Sequence, residues 1–310
     1  MPEKIINLKS VEVKPSNIQS AGNVKNYKVK VYSAINVYGS LFKDTGKYNG
    51  FNYPFFNKKP VIIVSVDDCI SPEISKLFLK KSLDGDFVAS KQIIENFNIS
   101  QIQSKIENEL KVLNLNSNSE FFVVFDHEAS FPWNVSNHWQ CYNFVFDFLK
   151  NLYPQSNLGF YGLPHRDVWL AKTNRQNLLN WYDFSTNLAS NNVEFFPHLY
   201  SPYAIGQTWN TDQYCNMILE NLNRYENKIN RKITAIFYNL FAGKDLVDLS
   251  TSRIDYTSAS PLPLETNKKA MEIFAQKQIS VFLWSGVETQ KQKERLDSAI
   301  INNLAPCLEL

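Results

Sequence analysis

The stretch Phe121-Phe122-Val123-Val124-Phe125-Asp126-His127-Glu128 is an apolar run that ends in two carboxylates. An uninterrupted apolar run of this length suits a strand buried on both faces, as in a parallel sheet. Side chains alternate along a strand, so Asp126 and Glu128 project to one face and His127 to the other. Two adjacent carboxylates in a partly apolar cleft repel each other's charge, which favours protonation of one of them near neutral pH and so suits a general acid. Acids that only meet water at a strand end would give the same local pattern. Phe131, Trp133 and Trp139 follow closely and bring aromatic faces towards the pair, as in a carbohydrate cleft or equally in a core.

Working outward, the same rhythm recurs. Val29-Lys30-Val31-Tyr32-Ser33-Ala34-Ile35-Asn36 partly alternates and predicts a strand, and Val61-Ile62-Ile63-Val64-Ser65-Val66 predicts a second between Pro60 and Asp67-Asp68. The Gly- and Asn-containing segment 38–59 between them reads as a long loop. Ser71-Pro72-Glu73 predicts a helix start running through Leu79. A Ser-x-x-Gln box at Ser100 and Gln103 predicts another, with Ile102, Ile106 and Leu110 on one side. After the 121–126 strand, strands are expected at 158–161, 193–199, 233–238 and 279–284. Helices are expected at 142–149, 175–188, 212–225, 264–275 and 289–304. Seven strands thus alternate with helices without a break in composition, which predicts one α/β domain. A doubly wound sheet is the alternative, but no Gly-x-Gly-x-x-Gly or Walker A pattern follows any strand. Polar and aromatic residues instead mark the C-terminal strand ends, where a (β/α) barrel builds its active site. The expected architecture is a single distorted TIM-like barrel of seven parallel strands over 27–310, after an N-terminal extension at 1–26.

The 310 residues carry 32 Lys and Arg against 30 Asp and Glu, a formal charge of +2 with no dense basic run. Nothing in this balance calls for nucleic acid. No segment has about 18 consecutive apolar residues, and Met1-Pro2-Glu3-Lys4-Ile5-Ile6 lacks the pattern of a signal peptide, so the chain reads as soluble without membrane insertion. Cys69, Cys141, Cys215 and Cys307 form no C-x-x-C pair, which excludes a zinc ribbon or a thioredoxin-type motif. Two disulfides in a secreted protein or reduced buried thiols both fit, and Cys141 and Cys215 lie in helix-like apolar patterns that favour the latter. The sequons at Asn98 and Asn134 matter only on a secretory route.

A metal centre is the main chemical rival, because His127, His165 and His198 each fall near a strand end. Alternation separates His127 from Asp126 and Glu128, and neither H-x-H nor H-E-x-x-H occurs. No metal or other cofactor is expected. Gly-x-Ser-x-Gly is absent and no cysteine has a nucleophile signature, so acyl transfer has little support. Asp67 and Asp68 are auxiliary acids or a solvated strand end.

The order of these motifs resembles the hyaluronidase family of glycosidases. Val124-Phe125-Asp126-His127-Glu128 followed by Trp133-Asn134 is similar to the family's strand and acid motif, and Gly159-Phe160-Tyr161-Gly162-Leu163-Pro164 to its aromatic strand ending in proline. Phe195-Phe196-Pro197-His198-Leu199-Tyr200 is similar to the family's Tyr-Pro-Ser-Ile-Tyr strand end. Ile236-Phe237-Tyr238 resembles the late strand that contributes a tyrosine, and Val281-Phe282-Leu283-Trp284-Ser285-Gly286 the last strand with its Trp-Gly-Ser ending. The five matches lie in the family's order across roughly 120–290, and the resemblance also implies a distorted barrel of seven strands.

It further implies hydrolysis of a β-linked N-acetylhexosamine glycan, assisted by the substrate's own 2-acetamido group, one of the exceptions to the two-carboxylate rule. Glu128 would be the general acid and then base, and Asp126 would orient the acetamido group. Tyr200 and Tyr238 would hydrogen-bond the sugar, while Trp284, with Trp133, would line the cleft. The partner implied is a glycosaminoglycan-like polysaccharide or oligosaccharide, and the compartment secretory or lysosomal. Two departures bear on the substrate: Ala129-Ser130-Phe131-Pro132 stands where the family has an Arg, and Ser285-Gly286 reverses the order after Trp. Arg166, Lys172, Lys244 and Arg253 are candidates for an anionic glycan only because they follow strands. A chitinase-like or lysozyme-like glycosidase is an alternative, although the longer Asp-x-x-Asp-x-Asp-x-Glu run of chitinases is missing. A catalytically silent carbohydrate-binding barrel is another, because fold does not fix activity.

Overall fold

The structure is a computed structural model, and it describes residues 29–37, 53–65, 99–126, 138–162, 193–199, 210–228, 233–237, 261–287 and 290–308. Seven strands lie among them: β1 (Val31–Val37), β2 (Val61–Ser65), β3 (Phe122–Asp126), β4 (Asn157–Tyr161), β5 (Val193–Phe196), β6 (Thr234–Phe237) and β7 (Ser280–Val287). The described helices are α1 (Ile99–Val112), α2 (His138–Leu152), α3 (Thr211–Lys228), α4 (Leu264–Gln276), α5 (Gln290–Ala299) and α6 (Ala305–Leu308). The helices expected at 71–79 and 175–188, and the extension at 1–26, lie outside the described residues.

Every strand pairing is parallel, in a sheet β2-β3-β4-β5 and a sheet β1-β7-β6. Two parallel bridges, Phe195 to Ile233 and His198 to Ile236, join β5 to β6. On the other side, Phe56 bridges to Val31, and the Asn57 amide donates to the Val31 carbonyl at 2.7 Å. The described residues record no continuous ladder between β1 and β2. The result is an α/β barrel-like arrangement whose strands follow one another around the ring in chain order.

Alternation along the strands sorts the apolar side chains into two cores. Even-numbered positions on β1, β3, β5, β6 and β7 meet inside: Tyr32 and Ala34, Phe122 and Val124, Phe196, Ile236, and Phe282. Val61, Ile63, Tyr161 and Trp284 pack against them, so all seven strands contribute to this interior. The opposite faces, among them Val123, Phe125, Phe195, Phe237 and Leu283, meet the helices. Such a barrel interior is packed solid and is not a pore. Its centre is a set of edge-to-face rings, with Phe282 centroids 4.9 Å from both Phe122 and Phe196 and Tyr32 4.8 Å from Phe122. Each such pair adds about 0.5–1.5 kcal/mol beyond area burial.

Helix α1 buries Ile102, Ile106 and Leu110, the stripe its spacing predicts. Ser100 lies inside the helix and is not its cap, and Gln103 donates to Glu107 at 2.7 Å, so the expected box does not form. A reciprocal box appears instead at α3, where the Gln213 amide donates to Asn210 Oδ1 and the Asn210 amide donates to Gln213 Oε1. The expected C-terminal helix is broken by a π-helical turn at Ile300–Leu304, with the Ala305 amide donating to the Ile300 carbonyl. Pro306 follows at once; it lacks an N–H and its ring crowds the carbonyl four residues back, and a wider turn relieves both. The segment expected to be loop up to Lys59 is anchored at its end, since Tyr53, Phe55 and Phe56 pack together and the Tyr53 hydroxyl donates to Asp297 at 2.5 Å.

A polar floor closes the N-terminal end of the interior. Lys59 donates to Asn157 Oδ1, Asn157 donates to the buried carboxylate of Glu194, and the Lys59 ammonium lies 4.6 Å from the Phe122 ring centroid and 3.5 Å from Glu120. One position in this region tolerates no side chain. A Cβ on Gly159 would lie 2.4 Å from both the Glu194 carbonyl oxygen and Phe196 Cε2. Gly159→Ala is therefore expected to destabilise the fold by about 1–3 kcal/mol through overpacking, read as a lower urea midpoint at unchanged m-value. An unchanged midpoint would show that Phe196 does not fill this space.

Candidate active site

The C-terminal ends of the strands bring together what lies far apart in sequence. Asp126 is the last residue of β3, opposite Ser65 of β2, and two positions past the inward-facing Val124. Tyr161 ends β4 opposite Phe196. His198 follows β5 and is only 7% exposed. Trp284 stands on β7 opposite Ala34.

Three of these side chains form one aromatic group. The Tyr161 and Trp284 ring centroids are 4.8 Å apart at 41°, and Tyr161 stacks on His198 at 5.7 Å and 17°. Tyr161 and Trp284 are half-buried and pack against the barrel interior. The geometry of the group depends on the backbone. Gly162 adopts φ +76°, a left-handed conformation that costs glycine little, and its amide donates to the Phe196 carbonyl at 2.9 Å. A Cβ at Gly162 would also come within 2.9 Å of His198 Nδ1. The strand end carrying His198 is tied down from both sides: the Leu199 amide donates to the Ile236 carbonyl at 2.8 Å, the Ile236 amide to Pro197 at 2.8 Å, and the Tyr214 hydroxyl of α3 to the Leu199 carbonyl at 2.7 Å.

Of the six residues the sequence proposes for the site, Asp126 and Trp284 have described positions, and both lie at this end of the strands. Glu128, Trp133, Tyr200 and Tyr238 lie outside the described residues, as do His127, His165, Arg166, Lys172, Lys244, Arg253, Asp67 and Asp68. Tyr161 and His198 are the additions that the structure makes. Tyr161 was visible as the end of an aromatic strand, but its pairing with Trp284 crosses from β4 to β7 and leaves no local signal. Among the described residues no three His, Cys, Asp or Glu side chains converge as a metal would require.

The chain is similar in fold to bee venom hyaluronidase. Its structure superposes on that enzyme with a TM-score of 0.59 at 11% sequence identity, covering 91% of this chain and 100% of the other. The structure of bee venom hyaluronidase in complex with a hyaluronic acid tetramer gives a TM-score of 0.56, also at 11% identity, over 91% of this chain and 98% of that one. No protein-family model matches the chain, and no curated protein matches its sequence. The likeness is one of fold, that of a barrel used by a glycosidase. Among the described residues no helix is long and apolar enough to cross a membrane.

Cys215 on α3 and Cys307 on α6 are buried and free, and burial pushes both thiols up to about 11. A thiol held protonated in this way is a poor nucleophile. In a Cys69→Ser, Cys141→Ser background, iodoacetamide should therefore label the folded protein at pH 7.5 at least about a hundredfold more slowly than the unfolded chain, as two pH units of lost thiolate require. Equal rates by mass spectrometry would contradict the burial of both thiols.

Proposed function

We propose that this protein is a retaining glycoside hydrolase that cleaves a β-linked N-acetylhexosamine glycan with assistance from the substrate, in the manner of the hyaluronidases. The observation that carries the reading is positional: the strand ending in Asp126 and the half-buried Tyr161–Trp284 pair lie towards the same end of a barrel-like fold similar to that of bee venom hyaluronidase. The remaining groups follow from alternation. Glu128 stands two residues past Asp126, Tyr200 two past His198, and Tyr238 two past the inward-facing Ile236, so a continued strand would carry each of them into the mouth.

In the proposed reaction the acetamido carbonyl oxygen attacks the anomeric carbon as the glycosidic C–O bond breaks. Glu128 gives its proton to the leaving oxygen, and Asp126 orients the acetamido group and stabilises the charge that develops on it as the oxazolinium ring closes. Water then attacks the anomeric carbon from the opposite face, gives its proton to Glu128, and reopens the ring, so the configuration is retained. Tyr200 and Tyr238 hydrogen-bond the reacting sugar, while Trp284 and Trp133 supply flat apolar walls for its C–H face. No step needs a metal or a cofactor.

The test is digestion of hyaluronan, chondroitin, chitin oligomers and peptidoglycan, with product analysis. Cleavage of an N-acetylhexosamine linkage is expected, together with a loss of at least about a hundredfold in kcat for Glu128→Gln at an unchanged thermal midpoint. Full activity of Glu128→Gln would reject the assigned acid. If no glycan is cut over a wide pH range while an oligosaccharide still binds, the carbohydrate-binding barrel replaces the hydrolase.

A further inference from the structure

We infer that His198 is a positioning residue: its imidazole is the flat backing that holds Tyr161, and through Tyr161 the indole of Trp284, in the arrangement of a platform for a pyranose ring. The inference rests on the proposed glycosidase only for the identity of the ligand; the packing argument stands on the molecule itself.

The three rings come from β4, the end of β5, and β7; β4 and β5 are paired, with Tyr161 opposite Phe196, and among the described residues no ladder joins β7 to either. The place of Trp284 against Tyr161 is therefore set by side-chain contact. His198 is the fixed member. Its backbone is bridged to Ile236, and the next carbonyl receives the Tyr214 hydroxyl. Its ring is confined by Gly162, where even a methyl group would come within 2.9 Å of Nδ1. Tyr161 stands between the other two rings: it is half-buried, lies nearly parallel to the imidazole at 17°, and meets Trp284 at 41°. Without a flat surface behind it, the Tyr161 ring would gain rotamer freedom, and the indole would lose its neighbour on that side.

A tilted Tyr–Trp pair of this kind presents electron-rich faces to the weakly positive C–H face of a sugar, and binding depends on the faces being held before the ligand arrives. Stacking, not proton transfer, is the role assigned to His198. A planar replacement should then preserve the platform, and a non-planar one of similar bulk should not.

The experiment compares His198→Phe with His198→Leu in the full chain, both of which fill the space and so avoid a cavity. Near-ultraviolet circular dichroism of the apo protein isolates the Trp284 band by difference from Trp284→Phe in each background. His198→Phe should keep that band, and His198→Leu should lose most of it at a comparable thermal midpoint. For whichever glycan the wild type cleaves, His198→Leu should raise KM about tenfold, the upper end of what one aromatic pair contributes, with kcat within about twofold, and His198→Phe should restore KM. Identical behaviour of the two variants, in the band or in KM, overturns the inference, as does a fall in kcat without a rise in KM. If no glycan is cleaved the hydrolase reading fails, but the circular dichroism comparison still decides whether His198 positions the pair.

Discussion

The rings of Tyr32, Phe122, Phe196 and Phe282 at the centre of the barrel are the constraint from which the rest of the structure follows. They come from both sheets, and the contacts from Phe122 and Phe196 to Phe282 cross from one sheet to the other. Among the described residues, backbone pairing joins the sheets through two bridges at β5–β6 and through the residues before β2. The aromatic centre is thus what makes seven strands enclose one interior. A side-chain period of two then orders the layers of this interior, because a strand that places Phe122 inward also places Val124 inward.

This constraint also explains the different chemistry of the two ends. Below the rings, Lys59 donates to Asn157 and Asn157 to the buried Glu194, while the Glu194 carbonyl oxygen and the Phe196 ring leave no room for a side chain at Gly159. A buried carboxylate needs such partners, and their removal would leave a charge that the interior cannot solvate. The C-terminal strand ends instead carry the half-buried rings of Tyr161 and Trp284 and the buried imidazole of His198.

The order and type of the elements were legible in the sequence because apolar runs and helical stripes are local. Val61-Ile62-Ile63-Val64 and Ile102, Ile106 and Leu110 fall where their patterns put them. Ends of elements were less legible. Gln103 prefers Glu107 to a cap, and Pro306 opens a π turn inside an expected helix, since each competes with a partner or a steric clash that spacing alone does not reveal. Glu194 reads as an interruption in an apolar strand until Asn157 is seen beside it, and Lys59 reads as loop until it is seen beneath Phe122.

The candidate site divides along the same line. Its proposed acids lie two apart in the sequence, so Asp126 and Glu128 predict a shared face from the period of two alone. Its aromatic surface is assembled from β4, β5 and β7, with about forty residues between Tyr161 and His198 and more than eighty between His198 and Trp284. Nothing in one sequence encodes that meeting except the inward parity of each strand. A local motif can therefore nominate candidate acids, whereas the aromatic group is a property of how several strands are arranged. Gly162, whose missing Cβ leaves room for the His198 ring, shapes that aromatic group from a position outside the acid motif.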